Sequence, residues 1–275
     1  MHRETTEAQM NNIVVVVFPD EARAHEGLRA LQELHREGNV AVYATAVLQR
    51  ELNGELSVKR HSNQGPLGLG VGAVAGGLIG IIGGPVGPAA GVAAGALAGS
   101  LGDALHMSLG DELIEAVQRD LTPGTSAVIG EISEETIETI DKRMNALGGK
   151  VSRERRKDFV AGFAEEDTAP IRAELAEISA EHAGRKAEVM ETDLDFDVEN
   201  AKERLERTAE KARERVDRIK QEMQAKLEVL RDQAARARPD VRDRIQRRIA
   251  EVRKDLEQRE AKLQRAYELT QRALH

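Results

Sequence analysis

The chain has 275 residues, a net charge of −8 and no cysteine, which excludes disulfides, thiolate catalysis and Cys-based metal sites. Aromatic residues make up 2% and tryptophan is absent, which argues against the aromatic-rich core of a large enzyme. From Val198 onward 22 basic groups face 16 acidic ones, a net +6, so the preceding 197 residues carry −14 and an acidic body bears a basic tail. The opening MHRETTEAQMNN is polar and lacks the apolar stretch of a signal peptide.

Asn12–Phe18 (NIVVVVF) is a β-branched run that predicts a buried strand. Pro19-Asp20-Glu21 opens a helix, acidic where the helix dipole favours it, with Ala24, Leu28, Leu31 and Leu34 at helical spacing and Gly38 at its end. Val40–Arg50 predicts a second strand, Asn53-Gly54 a two-residue hairpin turn, and Glu55–His61 a third strand. Ser108–Leu121 predicts a helix with Leu109, Leu113, Ile114, Val117 and Leu121 on one side. Thr122-Pro123-Gly124 predicts a turn and Thr125–Ile132 a fourth strand. A further helix follows near Glu134–Leu147, and KVSRERR after Gly148-Gly149 reads as an extra edge strand. The order is βαββαβ, which predicts an α+β, ferredoxin-like head over residues 10–157.

Between the third strand and the Ser108 helix, residues 65–102 carry no charge, and their glycines keep a fixed beat. Gly68, Gly72, Gly76, Gly80 and Gly84 fall every fourth residue; after Pro85 the beat resumes at Gly87, Gly91, Gly95 and Gly99. Such stripes let two helix backbones approach closely, because no side chain projects from them. The segment therefore predicts an inserted glycine-zipper helical hairpin. Each half would be about 25 Å long, at the lower edge for a hydrocarbon core of about 30 Å. The first half, with Leu67, Leu69, Val71, Val74, Leu78, Ile79, Ile81 and Ile82, is apolar enough to enter lipid. The second, with Val86, Val92, Leu97 and Leu101 among Ala and Gly, would enter only when zipped to the first. The competing reading buries both halves in a soluble assembly.

Residues 158–192 predict a connecting helix starting near Thr168-Ala169-Pro170. Residues 193–275 carry an 11-residue step: Leu194, Leu205, Val216 and Leu227, then, after Pro239, Val241, Val252, Leu263 and Leu274. That period predicts a straight or slightly right-handed coiled-coil seam, re-phased by a kink or tight hairpin at Pro239.

The glycine repeats around GGPVG, the run Leu121-Thr-Pro-Gly-Thr-Ser-Ala127 and the stretch ALGGKVSRERR resemble domain-of-unknown-function family 1269, over about residues 10–157. The resemblance implies a bacterial protein of a kind commonly described as membrane proteins, with no catalytic residues to carry over. More loosely, the hairpin resembles that of glycine-rich stress-induced proteins. The long charged tail departs from the shorter family members.

P-loop, HExxH and GxSxG motifs are absent, as is a GxGxxG placed between strand and helix. Tyr43 stands alone on the strand segments, so no aromatic platform for RNA is expected. His61 and His106 bracket the hairpin without further ligands, and His25 and His35 share no helix face. The sequence thus predicts a non-enzymatic, self-associating structural protein without cofactor or metal. It would be membrane-associated through the hairpin, at the cytoplasmic face of a bacterial inner membrane. Its partners would be copies of itself and a lipid bilayer, with no nucleic acid and no small-molecule substrate. The alternatives are a cytoplasmic homo-oligomer (ring, shell or filament) with the hairpins as inner seam, and a ligand-sensing module with a coiled-coil output.

Overall fold

In the computed structural model, which describes residues 10–62, 68–83, 111–155 and 194–273, the β-branched run forms strand β1, Met10–Phe18. Helix α1, Glu21–Arg36, starts at Asp20, whose carboxylate accepts the Arg23 amide at 2.8 Å. Gly38 ends it with φ of +75°, a left-handed conformation that suits glycine. Strand β2, Val40–Arg50, returns through the Asn53-Gly54 turn into strand β3, Leu56–Ser62. Asn53 Oδ1 accepts the Glu55 amide at 3.0 Å, and Gly54 has φ of +88°.

Helix α2, Gly68–Gly83, and helix α3, Asp111–Asp120, come next, then strand β4, Ser126–Glu134. The Leu-Thr-Pro-Gly-Thr-Ser-Ala run makes the α3–β4 turn and clips it to the end of β2. The Gly124 amide donates to Arg50 O at 2.7 Å, the Arg50 guanidinium donates to Leu121 O at 2.7 Å, and the Thr125 hydroxyl donates to Thr122 O at 2.7 Å. Helix α4, Glu138–Asn145, and strand β5, Lys150–Arg155, close the head.

The sheet order is β3-β2-β4-β1-β5, and every neighbouring pair is antiparallel. The four strands of the βαββαβ reading and the extra edge strand expected at KVSRERR make up these five. All nine residues of β4 are buried, and β4 lies centrally between β2 and β1. Strand β3, with Val58 and Lys59 exposed, takes one edge; the polar β5 takes the other, beside β1. Placement follows apolar content: a strand buried throughout needs neighbours on both sides, and a charged one tolerates an edge.

One sheet face is closed by local elements. Val14, Val16 and Phe18 of β1, Val40 and Val47 of β2, and Val128 and Ile132 of β4 meet Ala24, Leu28, Leu31 and Leu34 of α1 and Ile140 and Met144 of α4. A Cβ on Gly27 would lie 2.2 Å from Phe18 Cζ, and one on Gly149 2.6 Å from Phe18 Cε1. Glycine at both positions makes room for that ring. The alternating residues, such as Ile13, Val15, Ala46 and Ile129, point to the other face. Helix α2 packs on β2, β3 and β4, and α3 on β1 and β5.

Two long helices end the described chain: α5, Leu194–Arg236, and α6, Pro239–Ala273. Pro239 stands at the first helical position, where its missing N–H costs no hydrogen bond. The chain divides into two compact units: Met1–Phe163 with Ala225–Ala250, and Ala164–Gln224 with Glu251–His275. The first is the head together with the end of α5 and the start of α6. In the second, Met223 and Val252 are buried, and Arg207 pairs with Glu203 one turn away at 3.7 Å. The expected connecting helix, 158–192, lies outside the described residues.

Candidate functional site

Helix α2 has two faces. Val71, Val74 and Leu78 are fully buried, with Ala75 and Ile79 nearly so, and this apolar stripe is the one set against the sheet. Burying each of the larger side chains contributes about 1.5–3 kcal/mol. Gly76 lies about 140° around the helix from Val71, at about 100° per residue. It is exposed, and a Cβ built on it would meet nothing within 4 Å. Gly72 is half-buried. Of the fourfold beat on α2, Gly76 thus stands exposed beside the sheet-facing stripe; Gly68 and Gly80 are on the same helix. Gly84, Gly87, Gly91, Gly95 and Gly99 lie outside the described residues.

Of the expected seam, Leu194, Leu205, Val216 and Leu227 are on α5, and Val241, Val252 and Leu263 on α6; Leu274 lies outside the described residues. Leu227, Val241 and Val252 are buried. The end of α5 and the start of α6 form a clasp on the head. Gln233 Nε2 donates to His35 O at 2.5 Å and to Val40 O at 2.8 Å. The Arg248 guanidinium donates to Gly38 O at 3.0 Å and Asn39 O at 2.9 Å. Fifteen residues of straight helix would part Gln233 from Arg248 by about 22 Å. Both reach carbonyls of adjacent residues, so the chain reverses between them and Pro239 opens the second arm of a hairpin. Val241 fills the space that a Cβ on Gly38 would need, with its Cγ1 2.1 Å from that position.

The clasp also caps an open edge. Among the described residues, only Thr45–Arg50 of β2 pairs with β3, and none forms a strand beside Val40–Ala44 on that side. The Val42 amide donates to His35 Nδ1 at 3.2 Å, and Val40 O receives Gln233. Side chains thus occupy bonding groups that another strand would take. Further along α5, Lys226 enters the head, is almost fully buried, and pairs with the buried Glu131 of β4. Its ammonium lies 5.2 Å from the centre of the Tyr43 ring. Tyr43 sits where the β2–β4 register shifts between Val42 and Ala44, a bulge that re-aims its side chain. Burial, then the Arg248 and Arg236 charges, hold the His35 imidazole below its ordinary pKa of 6.5.

A second charged cluster stands under α4. Glu134, fully buried, accepts from Asn12 at 2.8 Å and from Arg153 at 2.8 Å, and Arg153 also reaches Asp141 at 2.5 Å. The cleft between α1 and α4, about 350 Å³, is bridged by the Arg143–Glu33 ion pair at 2.6 Å, so its charges answer one another. Among the described residues, no group of three His, Asp or Glu side chains is placed to hold a metal ion. Among them, too, no helix is long and apolar enough to cross a membrane.

These features define a mixed α/β protein with a five-stranded antiparallel sheet and long C-terminal helices. The model of the family described as protein of unknown function (DUF1269) matches residues 70–158, from α2 to just past β5. The match begins within the glycine helix and ends just past the last strand, and takes in the α3–β4 turn. No curated protein and no solved structure matches the chain.

Proposed function

We propose that this is a non-enzymatic, self-associating structural protein whose copies meet through the glycine face of α2. The observation that carries the reading is the division of that helix. Its apolar stripe is committed to the sheet, while Gly76 opens onto empty space. Glycines at fourfold spacing suit a second helix at close range, because no side chain projects from them. That second helix is α2 of another copy.

Strands β1, β2, β4 and β5 with α1 and α4 are read as a ferredoxin-like core. Strand β3, α2 and α3 then form an insertion between β2 and β4. The insertion carries the assembly surface, and the long helices set the spacing between copies. Packing of Val71, Val74 and Leu78 on the sheet supports an assembly in water. Entry of α2 into lipid would require stripping those side chains from β2, β3 and β4.

Flotation of full-length protein on a lipid gradient, followed by an alkaline carbonate wash and light scattering, tests the proposal. A lipid-free particle several times the mass of one chain is expected. Material that stays with lipid through carbonate would restore the membrane reading, and a lipid-free single chain would overturn self-association.

A further inference from the structure

The clasp holds the His35 imidazole among hydrogen-bond donors. His35 Nδ1 takes the Val42 amide hydrogen at 3.2 Å, so the ring's own proton sits on Nε2. Gln233 Nε2 lies 3.3 Å from the same nitrogen while its hydrogens serve His35 O and Val40 O. Every neighbour of Nδ1 is thus a donor. The charges facing the imidazole are Arg236 of α5 and Arg248 of α6. Arg248 lies 3.9 Å from Glu135 in the β4–α4 turn, and the remaining charged pair of the clasp is Lys226 with Glu131.

We propose that His35 is an acid-sensitive latch: a proton on its Nδ1 releases the α5–α6 hairpin from the head and bares the Val40–Ala44 edge of β2. The added proton replaces an acceptor by a donor opposite the fixed Val42 N–H. It also places a third positive charge between two guanidinium groups. The sign follows from the depressed pKa. The docked state binds this proton more weakly than the open state, so docking is at full strength above 6.5 and weakens as the pH falls below it. The opening equilibrium rises by up to about tenfold for each pH unit in that window. The bared edge keeps uncharged residues, Val-Ala-Val-Tyr-Ala, and so has the character of a segment that accepts another strand.

Amide hydrogen exchange of the full-length protein, read by mass spectrometry at pH 7.5 and 5.5 and corrected for intrinsic rates, tests the latch. The expected result is about a tenfold loss of protection at pH 5.5 in 40–44 and 225–250, while 28–34 keeps its protection. His35→Gln, whose side-chain oxygen can take the Val42 amide and gains no proton, should show no such loss. Should that variant fail to fold, Arg236→Gln takes its place and should lose less protection than the parent. Unchanged protection in the parent at pH 5.5, or a variant that loses as much as the parent, would overturn the proposal.

Discussion

Helix α2 packs on the sheet through Val71, Val74 and Leu78, whereas the α5–α6 hairpin reaches the same head with Lys226, Gln233 and Arg248. The first contact is apolar and non-directional, and leaves Gly76 exposed on the helix. The second adds to apolar contacts such as Val241 on Gly38 a set of buried polar groups, each matched to a named carbonyl or carboxylate. Apolar burial supplies adhesion, while a buried ion pair adds little net stability but penalises any arrangement that leaves one charge unpaired. The hairpin contact is therefore the more exacting of the two in register, and α2 the more adaptable.

The largest test of that contrast is the ion pair. Lys226→Met leaves Glu131 buried without its cation, and chemical denaturation should show a loss of about 3–5 kcal/mol. Adding Glu131→Gln should recover most of it; a double variant as unstable as the single one would mean that the pair itself stabilises the head. On the apolar side, Leu78→Ala should cost about 2–5 kcal/mol, with the spread set by how far α2 settles into the cavity. That loss should not change when Lys226 is also replaced, since independent contacts add. Smallest is Gly76→Ala. With nothing within 4 Å of the new methyl, the helix should gain about 0.5–1 kcal/mol. A destabilised monomer would show that the glycine face is already packed.

Much of the locally closed face could be read from the sequence. The strand assignments at β1 and β2, the helix stripe Leu28, Leu31 and Leu34, and the turns at Asn53-Gly54 and Thr122-Pro123-Gly124 rest on periodicity and turn chemistry, which act over a few residues. Strand order was less legible, because nothing within Leu56–Ser62 states that β4 will take the central place. Lys226, Gln233, Arg248, His35 and Tyr43 were missed as a group. Gln233 lies 198 residues from His35, and no local pattern reports that distance. One signal was present. Lys226 and Gln233 fall at the 3–4 spacing of Met223, Leu227 and Leu230, and Arg248 stands between Ile245 and Ile249. A long polar side chain inside an apolar stripe marks a helix whose partner offers hydrogen-bonding groups.

The central claim is that copies meet across the glycine face of α2. The most direct measurement is the particle mass, by light scattering, of full-length Gly76→Leu against the parent. The expected result is a folded variant with unchanged helix content, because no described atom lies within 4 Å of a Cβ at Gly76, and a particle reduced towards a single chain. A variant that folds and keeps the full mass of the parent assembly would contradict it.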